Sequence, residues 1–120
     1  MNDLRLGEIE SRFAEIIWEN EPLASSQLAL FAEKELGWKK TTSYTVLKRL
    51  CGKGIFQNSN GEVTAIIKKD EYYALKSEKF VEESFGGSLP AFLTAFTRGK
   101  PLSQEEINEI RKIISEYEEV

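Results

Sequence analysis

The sequence predicts a mainly α-helical protein with one small β-hairpin, and three observations lead to this fold class. Apolar residues recur at spacings of three and four through most of the 120 residues, which is typical of amphipathic helices. The pattern changes only after Gly54, where two short runs flank Asn60-Gly61. The composition, 41% hydrophobic and 30% charged, is that of a folded globular protein rather than a disordered one.

Two helices are predicted in the first third of the chain. The apolar spacing of residues 6–19 predicts an amphipathic helix, and Pro22 follows its end. Ser25 or Ser26 is expected to cap the second helix, because a serine hydroxyl can accept a hydrogen bond from the first turn. Gly37 is expected to stop that helix.

The third helix, over about residues 40–53, has two chemically different faces. One face carries Ser43, Val46, Leu47, Leu50 and Cys51. The opposite face carries Thr41, Thr42, Thr45, Lys48 and Arg49. The apolar face is expected to pack onto the domain, which leaves the threonines and cations outside. Trp38 comes just before this helix and is expected to fill the gap between two helices.

A hairpin is predicted after the third helix. Asn60-Gly61 lies between "IFQNS" and "EVTAI", and this dipeptide favours a type I′ turn because both central residues need a positive φ. A short strand near Leu23 is expected to complete the small sheet. Three helices followed by a hairpin within about 60 residues make the winged helix-turn-helix plan.

Residues 70–120 are predicted to form three further helices. The first spans residues 70–85 and ends at Gly86-Gly87, and Ser88 can cap the second.

The last helix begins at a capping box of Ser103 and Glu106. Three short amphipathic helices are too few to enclose a core of their own in water, so the simplest prediction is a two-fold homodimer. The candidate dimerisation residues are apolar and aromatic side chains of these helices: Tyr73, Phe80, Phe85, Leu89, Phe92, Leu93, Phe96, Ile107, Ile110 and Ile114.

The charge is distributed unevenly along the chain. The net charge is −4, yet residues 38–69 carry seven basic side chains and one acidic, a net of +6. Residues 1–37 and 70–120 each have a net charge of −5. A basic segment between acidic flanks indicates a polyanionic partner, which the overall charge hides.

The third helix and the hairpin supply the candidate DNA-binding residues. A recognition helix presents short hydrogen-bonding side chains and long cations to the major groove. The candidates are Lys39, Lys40, Thr41, Thr42, Tyr44, Thr45, Lys48, Arg49, Lys53 and Asn60. Thr42 and Thr45 are expected to contact bases, whereas the cations and Tyr44 are expected to contact phosphates or both. The alternative for this face is an ordinary solvated helix surface.

Several function classes are excluded or disfavoured by composition. The chain has no histidine and a single cysteine, Cys51, which excludes a zinc site of the usual kind and histidine-based catalysis. No phosphate-binding glycine motif is present. We therefore predict no enzyme activity, no metal and no cofactor. No apolar run approaches the length of a membrane span or signal peptide, so a cytoplasmic location without membrane insertion is expected.

The chain resembles the penicillinase-repressor family of bacterial transcription regulators, which includes β-lactamase, methicillin-resistance and copper-transport repressors. Four segments carry the resemblance: "LGEIESRFAEIIWENEPLASSQL", "TTSYTVLKRLCGKGIF", "FGGSLPAFLTAF" and "LSQEEINEIRKIISE". The resemblance implies a DNA-binding domain over residues 1–69 and a dimerisation domain over 70–120. It also implies a homodimer that binds a palindromic operator and represses the adjacent genes.

Three departures from the family pattern bear on regulation and on the recognition helix. In the antibiotic-responsive branch, a sensor protease signal leads to cleavage near the position of Ala95-Phe96, where the family has asparagine before phenylalanine. The copper-responsive branch has cysteines near the C-terminus, and this chain has none there. Lys39-Lys40 replaces the family's Ser-Pro, which moves the expected helix cap to Thr41.

Two other function classes remain open from the sequence. The basic face could bind an acidic protein, which would make the domain a winged-helix protein-interaction module. A small carboxylate enzyme would need converging acidic residues, and the sequence places its carboxylates on outer helix faces.

Overall fold

The computed structural model describes residues 4–118 and divides into two compact units, with the boundary after Ser77. Residues 1–3 and 119–120 lie outside the described part of the chain. The elements are α1 (Glu8–Asn20), β1 (Leu23–Ala24), α2 (Ser25–Leu36), α3 (Lys40–Gly52), β2 (Phe56–Ser59), β3 (Glu62–Ala65), α4 (Lys69–Phe85), α5 (Leu89–Gly99) and α6 (Gln104–Glu118). This arrangement confirms the predicted mainly α fold with a small hairpin. Over residues 4–118, every helix lacks either the length or the apolar character needed to cross a bilayer.

The sheet has three antiparallel strands in the order β1-β3-β2. The turn between β2 and β3 has a positive φ at both Asn60 (53°) and Gly61 (87°), as the predicted type I′ turn requires. The short strand expected near Leu23 is present, and Leu23 pairs with Val63. The hairpin therefore occupies the position of a wing directly after α3.

The core of the first unit is formed by its first three helices, the sheet and the beginning of α4. Its largest fully buried side chains are Tyr72, Phe13, Phe56, Ile17, Leu28, Leu50, Ile55 and Val63. Trp38 stacks on Phe13 with a centroid distance of 5.0 Å, which confirms that it fills a gap between helices. The Trp18 indole N–H donates to the Ile67 carbonyl at 3.0 Å, so both tryptophans belong to this unit's packing.

The start of α2 differs from the prediction. Neither predicted serine caps the helix, because Ala24 is the capping residue and Ser25 is already helical. The Ser25 N–H donates to the Gly61 carbonyl at 2.8 Å, so a contact with the hairpin positions this turn. The Ala24 N–H donates to the Gln27 side chain at 3.3 Å, which satisfies one of the exposed amides.

The start of α3 also differs from the prediction. Lys39, with extended backbone angles, is the capping residue, and Thr41 lies inside the first turn. The Lys39 carbonyl accepts the Ser43 N–H at 3.2 Å, so the helix begins without any side-chain cap. Thr41 therefore presents its side chain from a regular helical position.

The second unit contains the remainder of α4 together with α5 and α6. Gly86 and Gly87 both have positive φ values, 59° and 83°, and end α4 as predicted. The Ser88 hydroxyl accepts the Ala91 N–H at 3.1 Å, which confirms this cap. No side chain of residues 78–118 is fully buried in the single chain.

The capping box of α6 has both of its reciprocal hydrogen bonds. The Glu106 N–H donates to the Ser103 hydroxyl at 3.1 Å, and the Ser103 N–H donates to the Glu106 carboxylate at 3.2 Å. The predicted start of the last helix is therefore confirmed.

Candidate nucleic-acid interface

α3 has one buried and one exposed face, divided as its sequence pattern predicts. Ser43, Val46, Leu47 and Leu50 are buried, and Cys51 is partly buried. The buried face fixes how the helix is turned about its axis. The opposite face is consequently available to a partner.

Nine of the ten predicted DNA-binding residues are exposed. They are Lys39, Lys40, Thr41, Thr42, Tyr44, Thr45, Lys48, Arg49 and Asn60. Eight of these belong to α3 and its capping residue, whereas Asn60 lies in the hairpin turn. Lys53, just beyond the end of α3, is partly buried.

The threonines of α3 differ in hydrogen-bonding capacity. The Thr45 hydroxyl donates to the Thr41 carbonyl at 2.9 Å, so its proton is engaged within the helix. Its oxygen can still accept a hydrogen bond, and its methyl group is available for an apolar contact. The Thr42 hydroxyl makes no hydrogen bond within residues 4–118, so it can either donate or accept.

A shallow cleft of about 260 Å³ lies between α3 and the wing. Its lining residues are Tyr44, Leu47, Lys48, Cys51 and Asn58. Burial raises the pKa of the Cys51 thiol, and a hydrogen bond from the Asn58 backbone offsets part of this effect. A protonated, partly buried thiol is a weak nucleophile, so Cys51 acts chiefly as a small packing residue.

The seven cations of residues 38–69 fall into two groups. Four are engaged within the chain: Arg49 with Glu10 (3.0 Å), Lys68 with Glu21 (3.1 Å), Lys69 with Glu15 (2.8 Å), and Lys53 with the Arg5 carbonyl (2.6 Å). The others, Lys39, Lys40 and Lys48, make no ion pair within residues 4–118. The unpaired cations are therefore concentrated at the beginning and middle of α3.

The acidic partners of these cations were not anticipated from the sequence. Burial opposes ionisation of Glu10, but hydrogen bonds from Gly7 and Arg49 and the charge of Lys53 outweigh it and lower its pKa. Burial acts in the same way on Glu15, and its hydrogen bonds from Lys69 and Tyr73 likewise lower its pKa. No local sequence signal identifies pairs separated by 39 or more residues, so only the folded chain reveals them.

The aromatic residues predicted to dimerise lie in two places. Phe92 contacts the rings of Phe80, Phe85 and Phe96 in the second unit, at centroid distances of 5.9, 5.4 and 6.0 Å. Tyr73 belongs to the first unit, where its hydroxyl donates to Glu15 at 2.8 Å.

The other predicted dimerisation residues are partly or largely exposed. Leu89, on α5, and Ile114, on α6, are 56% and 51% exposed. Leu93, Ile107 and Ile110 are partly buried.

Comparisons with known proteins give a consistent result. A family model described as penicillinase repressor matches residues 6–116. A penicillinase repressor from Bacillus licheniformis is 27% identical over 117 residues, covering 94% of this chain and 91% of that protein. The methicillin resistance regulatory protein MecI of Staphylococcus aureus is 22% identical, with 92% and 93% covered. A penicillinase repressor from Staphylococcus aureus is 23% identical, with 84% and 83% covered.

Proposed function

Because this chain belongs to the penicillinase repressor family, we propose that it is a transcriptional repressor that binds double-stranded DNA through α3. The family is one of repressors rather than enzymes. The observation that carries the proposal is the exposed face of α3, where three threonines accompany lysines that have no internal acidic partner. Such a face suits a major groove, in which threonine meets base edges and lysine meets phosphates.

The proposed contacts divide by chemistry. Thr42 and Thr45 contact base edges, and the Thr45 oxygen serves as an acceptor or its methyl packs on a thymine. Lys39, Lys40 and Lys48 contact phosphates. The hairpin turn at Asn60 contacts the flanking backbone.

We further propose a homodimer on a palindromic operator, with DNA binding assigned to residues 1–69 and dimerisation to residues 70–120. The absence of any fully buried side chain in residues 78–118 supports this assignment, because a second copy would cover the exposed apolar surface. A two-fold dimer places its recognition helices in half-sites about one helical turn (~34 Å) apart, or a multiple of it.

Selection from a random duplex pool, followed by fluorescence anisotropy on the selected duplex, tests this function. We expect an inverted-repeat sequence and an affinity that falls with salt at a log–log slope of several units. Thr42→Ala is expected to relax the preference at one base pair, at a cost of about 1–3 kcal/mol. Thr94→Ala, at an exposed threonine of α5, is the matched control and should bind like the wild type.

The competing function is that of a winged-helix protein-interaction module, in which the basic face binds an acidic protein. In that case the pool would yield no enriched sequence, and the wild type would show no salt-dependent affinity for duplex DNA.

A further inference from the structure

α1 lies next to the basic segment and supplies it with carboxylates. Glu10 pairs with Arg49 of α3, Glu15 with Lys69 at the start of α4, and Glu21 with Lys68, which lies between β3 and α4. Glu21, the residue that follows α1, also accepts the Ala65 N–H at 2.9 Å, so it has a structural role in the sheet. Glu15 also accepts the Tyr73 hydroxyl.

Glu10 is the member of this group that acts on α3 itself. Its two carboxylate oxygens have different partners, because one accepts the Gly7 N–H at 3.3 Å and the other pairs with Arg49 at 3.0 Å. The Glu10 side chain is only 21% exposed, whereas that of Arg49 is 54% exposed. The acid is therefore held by the fold, and the arginine is drawn toward it.

A phosphate and the Glu10 carboxylate compete for the same guanidinium. Arg49 has enough donors to approach both, but a phosphate brought to Arg49 would lie close to a fixed negative charge. The lysine that precedes Arg49 in the sequence, Lys48, has no such neighbour within residues 4–118. Of these two adjacent cations, Arg49 thus lies beside an internal carboxylate, whereas Lys48 does not.

We propose that Glu10 is an internal counter-charge that withholds Arg49 from the DNA backbone and so limits binding to non-cognate DNA. This inference rests on the proposed function and refines it. Lys39, Lys40 and Lys48 then neutralise phosphates, while Arg49 ties the end of α3 to α1. A lower non-specific affinity increases the fraction of repressor available for its operator, since competing sites greatly outnumber the operator.

The test uses the full-length chain and a fluorescein-labelled duplex of mixed sequence, about 30 base pairs long, enough for two half-sites one turn apart. Affinity is measured between about 50 and 200 mM salt for the wild type, four single variants and one double variant. Glu10→Gln removes the charge but keeps an oxygen that can accept the Gly7 N–H. Glu8→Gln is its matched control, an exposed acid of the same helix turn. Lys48→Gln and Arg49→Gln compare the two adjacent cations.

We expect Glu10→Gln to tighten binding about two- to fivefold per protomer, the equivalent of one exposed charge pair. Its log–log slope should steepen by about 0.9 per protomer, the value of one additional phosphate contact. Lys48→Gln should flatten the slope by the same amount, while Glu8→Gln and Arg49→Gln should leave the slope unchanged. The double variant Glu10→Gln/Arg49→Gln should show little of the gain in DNA affinity that Glu10→Gln produces alone.

Weaker binding by Glu10→Gln would overturn the inference, because Glu10 would then position Arg49 for DNA. A log–log slope for Arg49→Gln as flat as that for Lys48→Gln would also overturn the inference, because Arg49 would then contact a phosphate as Lys48 does. Circular dichroism melts check that each variant is folded, and the Arg49 and Lys48 variants decide the question alone if Glu10→Gln does not fold. A wild-type protein without salt-dependent binding would instead reject the proposed function, which separates the two failures.

Discussion

Ser43 is a polar residue on the buried face of α3. It is 2% exposed, and its hydroxyl has no hydrogen-bond partner within residues 4–118. A buried hydroxyl without a partner costs about 1–3 kcal/mol, so this residue destabilises the unit that it helps to build. The helical periodicity of the sequence predicts that Ser43 is buried, but it does not reveal that the hydroxyl is unpaired.

Ser43→Ala is therefore expected to stabilise the first unit by about 1–2 kcal/mol, since it removes the unpaired hydroxyl and improves helix propensity. Urea unfolding followed by tryptophan fluorescence reports on this unit, because Trp18 and Trp38 both pack in it. Ser77→Ala, at an exposed position of α4, gives the propensity contribution alone. A loss of stability in Ser43→Ala would mean that the hydroxyl has a partner, such as a buried water.

At the scale of single elements, the conformation of the wing depends on the turn that joins β2 and β3. Gly61 has a φ of 87°, in a region where an L side chain is strained, although a Cβ there would meet no atom closer than 4.0 Å. The cost of a substitution is thus a backbone cost rather than a clash. The same turn also accepts the Ser25 N–H through the Gly61 carbonyl, which links the wing to the start of α2.

Gly61→Ala is expected to destabilise the first unit by about 1–2 kcal/mol, the cost of a left-handed conformation for a residue with a side chain. Gly52→Ala, at the end of α3, is a matched control without a positive φ and with no atom within 4 Å of the added Cβ. It should stabilise the protein by about 0.4–1 kcal/mol. Equal effects of the two substitutions on the thermal midpoint would contradict this account of the turn.

The helix starts show where local sequence is sufficient to predict an element. Ser88 and Ser103 cap their helices as predicted, and both bond within their own turn. Ser25 does not cap α2, because it is already the first helical residue, and its N–H donates to the carbonyl of the distant Gly61. A cap that depends only on neighbours along the chain can be predicted from the sequence, whereas one that competes with a tertiary contact cannot.

At the scale of the whole molecule, the second unit encloses no core of its own within residues 78–118. Its aromatic rings contact one another, yet none of its side chains within residues 78–118 is fully buried. Phe92 lies inside this cluster, so replacing it would disrupt the single chain as well as any dimer. The more exposed Ile114 on α6 is the better position at which to test dimerisation.

Ile114→Asp is expected to convert the proposed homodimer to monomer, because it would place an unpaired charge in an apolar interface. Sedimentation velocity measures the change directly. Ser115→Asp introduces the same charge one residue later, at an exposed polar position, and should leave the dimer intact. A dimer that persists in Ile114→Asp would place the interface on another surface.

The sequence alone determined the order and type of the elements, the buried side of α3 and the hairpin turn. These features depend on apolar periodicity and on local backbone preference, both of which can be read within one element. Only the tertiary structure decided which cations are available to a partner. Arg49 and Lys48 are neighbours in one basic segment, but Arg49 pairs with Glu10, which is 39 residues away. That pairing depends on where the fold places α1 relative to α3, and the charge pattern along the chain contains no information about it.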